Sequence, residues 1–222
     1  MILASMSSKP IAGENSDLNH LSRGGLLAFP TETVWGLAGN SKDASAMSRL
    51  IQLKGRPSGQ PISLLVSGSK ALECLGVQMT PILRVLLSSF WPGPLTLVTK
   101  AEERFSEEIG REDGAIGFRC SSHPIAYRLT REAELRGLGP LTATSCNRSG
   151  EPAALTRVEA KIVCERAPQG CMARLVNSVL PDASGEQPST VLDVTSSAVR
   201  ILREGAIKKE AIFNTIEASR TP

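Results

Sequence analysis

The sequence predicts an α/β fold, and three observations carry that expectation. Apolar, β-favouring runs alternate with polar-capped helical segments, Gly and Pro punctuate them at short intervals, and no long linker interrupts the alternation. At roughly 150 residues per domain, a chain of 222 residues holds one large domain, or one domain with an appendage.

In chain order, strands are expected at Gly25 to Pro30, Ile62 to Val66, Leu95 to Thr99, Ala115 to Arg119, Leu141 to Thr144, Arg174 to Val179, Ser189 to Val194 and Val199 to Arg203. Helices lie between them. Asp43 caps one that puts Met47, Leu50 and Ile51 on a single face. Thr80-Pro81 reads as an N-cap followed by Pro at the first helical position, and Thr156 with Glu159 as a capping box. Lys100 to Asp113, with six acids, three bases and few apolar residues, is expected as a solvated excursion between two strands.

Composition excludes several classes. Lys plus Arg is 25 against 22 for Asp plus Glu, a formal charge of +3, which does not suit a strongly basic nucleic-acid scaffold. With 41% hydrophobic and 21% charged residues the chain is neither disordered, collagenous nor a simple coiled coil. Aromatics are only 4%, so Leu, Ile, Val and Ala must build the core, and stacking platforms for single-stranded nucleic acid are scarce. Five cysteines form no CxxC pair and have only His20 and His123 beside them, so buried, reduced thiols are expected rather than a zinc site. No run approaches a membrane span of about 20 apolar residues, and the opening MILASMSSKP is too short for a secretory core. The expected location is the cytoplasm; Glu14 and Asp17 argue against a transit peptide.

Four segments offer chemistry. After the strand ending at Phe29, Thr31, Glu32 and Thr33 stand where ligands meet open α/β sheets, although Thr31 or Thr33 would serve equally as a turn cap. Lys54-Gly-Arg-Pro places two cations around a glycine, suited to phosphate or, equally, to an ordinary helix exit. Thr142-Ala-Thr-Ser-Cys-Asn-Arg-Ser-Gly clusters hydroxyls and an amide that can bind phosphate or ribose, or simply make a turn. Arg119 ends a strand with a guanidinium able to grip a carboxylate, or to form a surface ion pair. No GxxxxGK[ST] loop occurs.

In this order, FPTETVWGL, KGRP, WPGPLTLV, IGFRCSSHP, TATSCNRSG, PSTVLD and ILREG resemble the YrdC-like threonylcarbamoyl-adenylate synthase family, from about Gly24 to Gly205. The resemblance implies a twisted mixed sheet flanked by helices, with a deep, electropositive concave cavity. It also implies a reaction: L-threonine and bicarbonate give a carbamate whose carboxylate attacks the α-phosphate of ATP, yielding threonylcarbamoyl-AMP and pyrophosphate. Magnesium comes with the ATP, with no metal ligand from protein side chains. The adenylate feeds threonylcarbamoyladenosine formation in tRNA through a downstream transferase complex; direct contact of this chain with tRNA is left open.

By the same resemblance Lys54 and Arg56 are the catalytic cations, and with Gln60, Ala115, Ser145, Asn147, Ala153 and Arg203 they bind ATP. Thr33, Arg119, Ala143 and Ser189 bind threonine. If Lys54 and Arg56 face phosphate, replacing either by Ala is expected to lower turnover far more than thermal stability. Three positions depart from the family: Gln60 stands for a frequent Asn, Leu65 for a His of some longer members, and Trp35 for a common Tyr. Residues 1–20 are expected as a flexible N-terminal segment, 21–210 as a YrdC-like catalytic domain and 211–222 as a tail, in the short, single-domain form. Two rivals remain: an RNA-binding module that grips phosphates without chemistry, and a carbamoyl-transfer domain like that of hydrogenase maturation factors.

Overall fold

The computed structural model describes residues 14–55, 61–105, 109–178, 185–196 and 198–219. Along the chain these form α1 (Glu14–Leu21), β1 (Leu26–Phe29), β2 (Gly36–Ala38), α2 (Ala44–Lys54), β3 (Ser63–Leu65), α3 (Ser69–Cys74), α4 (Pro81–Phe90), β4 (Leu95–Lys100) and β5 (Ala115–Arg119). There follow α5 (Pro124–Leu135), β6 (Leu141–Ser145), α6 (Arg157–Glu165), β7 (Ala173–Leu175), β8 (Thr190–Asp193), β9 (Arg200–Arg203) and α7 (Lys209–Ala218).

The strands make one mixed sheet in the order β7-β1-β2-β6-β3-β5-β4-β8-β9. Pairs β1/β7, β3/β5 and β4/β8 are parallel and the other neighbours antiparallel. Each expected strand has a counterpart, but the one expected over Arg174 to Val179 is confined to Ala173–Leu175, and Val179 lies outside the described residues. The additional strand β2 has three residues and pairs Gly36 with Phe29; a Cβ on Gly36 would stand 2.6 Å from the Phe29 ring, so this close antiparallel approach requires glycine.

The caps read from the sequence are present. Asp43 accepts from the N–H groups of Ser45 and Ala46, Thr80 from that of Leu83, and Thr156 with Glu159 closes a capping box. Gly55 ends α2 in the left-handed conformation, φ +57°, which glycine adopts without a Cβ penalty.

The period of two along each strand sorts side chains between the sheet's two faces. Leu26, Ala28, Leu64, Leu95, Leu97, Ile116, Phe118 and Leu192 join the larger core cluster with Met47, Leu50 and Leu53 of α2, Leu83 and Leu86 of α4, and Ile212 and Ile216 of α7. On the opposite face Leu27, Phe29, Leu65 and Leu141 pack with Leu18 and Leu21 of α1 and Ile125, Ala126, Leu129 and Ala133 of α5. These two helices cover only part of that face. Over β4, β5 and β8 its residues Thr96, Val98, Ala115, Gly117, Arg119 and Val191 line a cavity instead.

Several expectations need correction. Residues 14–20, placed in a flexible segment, belong to α1, whose Leu18 and Leu21 are buried. The tail from residue 211 is mostly helix α7, which packs on α4 through Ile212 and Ile216. The excursion between β4 and β5 is not wholly solvated: Ile109 is buried, and Arg111 reaches back to Asp193. Cys120, Cys146 and Cys171 are buried free thiols, but Cys74 is exposed. No helix among the described residues is long and apolar enough to cross a membrane.

Candidate active site

The cavity encloses about 650 Å³, within the usual range for a small-molecule site. Its wall brings together Ala115 and Arg119 from β5, Ala143 and Ser145 from β6, Ala153 from the following loop, and Ser189 and Arg203 from the β8/β9 edge. Thr33 joins through Arg119, which donates from Nη2 to Thr33 Oγ1 at 2.7 Å. Trp35 is fully buried beneath the cavity, and Leu65 lines it. Arg56 and Gln60 lie outside the described residues.

Lys54 stands behind the wall. Its Nζ donates to the Ser145 carbonyl oxygen at 2.7 Å and to Asn147 Oδ1 at 2.5 Å, and Ser145 Oγ also donates to Asn147 Oδ1 at 2.7 Å. Asn147 Nδ2 closes the loop on the Glu151 carbonyl oxygen. The hydroxyl-and-amide cluster expected from the sequence is therefore tied to a cation from α2.

At the other end, Arg119 Nη2 also donates to Glu32 Oε1 at 2.9 Å, and Ser121 Oγ donates to Glu32 Oε2. Burial raises the Glu32 pKa, but the Arg119 charge and the Ser121 hydrogen bond outweigh it and hold the carboxyl below its ordinary value. Thr31 Oγ1 gives its proton to the Val34 carbonyl oxygen, so the 2.9 Å contact between the two hydroxyls runs from Thr33 to Thr31. Thr33 is left as an oriented acceptor. Across the cavity, Arg203 donates to the carbonyl oxygen of Ser189 at 2.9 Å and to its Oγ at 3.2 Å, while Ser189 Oγ lies 2.8 Å from Thr96 Oγ1. Burial and then the nearby Arg119 charge lower the Arg203 pKa.

Arg111 is a cavity-lining residue that the sequence reading missed. It donates to Asp193 Oδ2 at 2.7 Å and to Asp113. Its signal was masked by the acidic composition around it. Among the described residues no His or Cys lines the cavity, and no cluster of three or more His, Cys, Asp or Glu is placed to hold a metal ion. The Cys120 thiol, on the strand end beside Arg119, is pushed up to about 12 by burial, then by the Glu32 charge. The wall offers cations and hydroxyls that can bind an anion and stabilise charge.

A mixed sheet with helices on both faces, and a cation-bearing cavity on the uncovered part of one face, defines an α/β protein with a pocket of small-molecule size. The Sua5/YciO/YrdC family model, described as telomere recombination, matches residues 19–205, and the chain belongs to this family. It is 34% identical over 188 residues to the threonylcarbamoyl-AMP synthase of Bacillus subtilis, covering 84% of this chain and 51% of that one. With the threonylcarbamoyl-AMP synthase of Thiobacillus denitrificans it shares 32% over 181 residues, 81% of this chain and 90% of that one. The crystal structure of Pyrococcus abyssi Sua5 complexed with L-threonine superposes with a TM-score of 0.80 at 30% identity, covering 94% of this chain and 59% of that one. The chain thus spans a little over half of the longer relatives.

Proposed function

We propose that this chain forms L-threonylcarbamoyladenylate from L-threonine, bicarbonate and ATP. The observation that carries the reading is the placement in and behind one cavity of a carboxylate-gripping guanidinium, Arg119, and of the Lys54–Ser145–Asn147 array. Relatives at 32% to 34% identity bearing the threonylcarbamoyl-AMP synthase name support it, as does the threonine-bound Pyrococcus structure.

The chemistry follows from the charges. The threonine amine adds to bicarbonate with loss of water, and the carbamate oxygen attacks the α-phosphorus of ATP, expelling pyrophosphate. Arg119, oriented by Thr33, holds the amino-acid carboxylate, and Ala143 and Ser189 complete that end. Lys54 and Arg56 act as the catalytic cations, stabilising charge that builds on the leaving phosphates. Ser145 and Asn147 orient the nucleotide with Gln60 and Arg203, and Ala115 and Ala153 wall it. Magnesium enters as part of the ATP substrate. The product passes to a transferase complex that modifies tRNA beside the anticodon, in the cytoplasm.

Pyrophosphate release from MgATP tests this reading. It is expected to require threonine and bicarbonate together; ADP and phosphate as main products would refute adenylate formation.

A further inference from the structure

A guanidinium offers a carboxylate two forks, Nε with Nη2 or Nη1 with Nη2, and each uses a proton of Nη2. Both Nη2 protons of Arg119 are committed here, one to Glu32 Oε1 at 2.9 Å and one to Thr33 Oγ1 at 2.7 Å. Nε is buried with no partner among the described residues. The pair is enclosed, with side-chain exposures of 11% for Arg119 and 16% for Glu32, and Ser121 anchors the second Glu32 oxygen. An incoming carboxylate gains a two-point grip only if Glu32 or Thr33 gives way. Thr33 is fixed in a hydroxyl chain that ends on the backbone of Val34, and being neutral it does not repel an anion. Glu32 carries the charge that competes.

We propose that Glu32 is an internal carboxylate that occupies the Arg119 fork and is exchanged for the carboxylate of the incoming amino acid, which makes it a specificity-determining residue. This rests on Arg119 being the amino-acid grip. Before the ligand arrives, the exchange partner keeps Arg119 aligned and leaves no bare cation in the cavity. Binding then replaces one ion pair by another, so a ligand that offers only a carboxylate gains little, and the amine, the hydroxyl and the methyl of the amino acid must supply the net affinity. Glu32 thereby screens the site against small anions.

Calorimetric binding to the full chain and to Glu32→Gln tests the exchange with three probes: L-threonine, β-hydroxybutyrate, which lacks the amine, and threoninol, which lacks the carboxylate. Gln keeps the shape and an oxygen for Arg119 but not the charge. The expected result is tighter β-hydroxybutyrate binding to Glu32→Gln by roughly tenfold to a hundredfold, the span of one charge-assisted hydrogen bond, with threoninol unchanged. Ser121→Ala, which frees one end of Glu32, should shift β-hydroxybutyrate in the same direction by less, and it stands in if Glu32→Gln does not fold. Weaker or unchanged β-hydroxybutyrate binding, with threonine still bound by the wild type, would make Glu32 a mere buttress and overturn the proposal alone. Failure of the wild type to bind threonine at all would overturn the amino-acid site itself, and the proposal with it.

Discussion

Lys54 and Asn147, 93 residues apart in sequence, meet at 2.5 Å between Nζ and Oδ1, and the lysine is only 3% exposed. The link is doubled by the backbone, where the Ser149 N–H donates to the Lys54 carbonyl oxygen at 2.7 Å. It ties the end of α2 to the loop after β6. Lys54→Ala removes two charge-assisted hydrogen bonds and leaves the Asn147 amide oxygen with Ser145 alone, a loss of about 1.5–3 kcal/mol. Both turnover and melting temperature are therefore expected to fall, whereas the sequence alone predicts a much larger loss of turnover than of thermal stability. An unchanged melting temperature by calorimetry would count against the observed role.

Arg119→Lys should not preserve the threonine site. A point ammonium cannot serve Glu32, Thr33 and a ligand carboxylate with the geometry of a planar fork. We expect kcat/KM for threonine to fall by roughly tenfold to a hundredfold, the loss of one charge-assisted hydrogen bond, and threoninol to be nearly inert with the wild type. Wild-type kinetics in Arg119→Lys would remove Arg119 from the site.

Asp193 is 2% exposed and accepts from Arg111 and Arg200 on one oxygen and from the Thr195 N–H and hydroxyl on the other. Burial opposes its ionisation, but the Thr195 and Arg111 hydrogen bonds prevail and hold its pKa far below the ordinary carboxylate value. A depressed folded-state pKa contributes stability that is present above the unfolded value, near 3.9, and is lost as pH falls below it. Asp193→Asn should therefore cost about 1–3 kcal/mol at pH near 7, and the gap to wild type should shrink at pH near 3. Denaturant titrations at the two pH values check this; a pH-independent gap would contradict it.

Ile212 of α7 is fully buried against the larger core cluster. Ile212→Ala is expected to cost about 2–5 kcal/mol, as for a core position. A loss below about 0.5 kcal/mol, the surface norm, would show that α7 is not held by the core.

What the sequence made legible was whatever depends on neighbours in the chain. Asp43, Thr80 and Thr156 cap helices within three residues of themselves, and the strand from Ala115 to Arg119 announces itself by composition. What it hid depends on distant partners. Strand β2 is too short for an alternating pattern and is defined by Phe29 and Ser145 on its neighbours. Helix α7 carries Ile212 and Ile216 four residues apart, but the partner they pack on, α4, lies more than 100 residues back. Arg111 sits among acids yet finds Asp193, 82 residues on, and Arg119 finds Glu32, 87 residues back. The motif order named the family, but the partners of its charged residues are a property of the fold.

The fate of bicarbonate tests threonylcarbamoyladenylate synthesis most directly. Incubating the full chain with radiolabelled bicarbonate, L-threonine and MgATP should place label in a product that also contains AMP, in step with pyrophosphate release, and omission of threonine should abolish it. Label that stays in bicarbonate while ATP is turned over would contradict the assignment of this cavity to threonylcarbamoyladenylate synthesis.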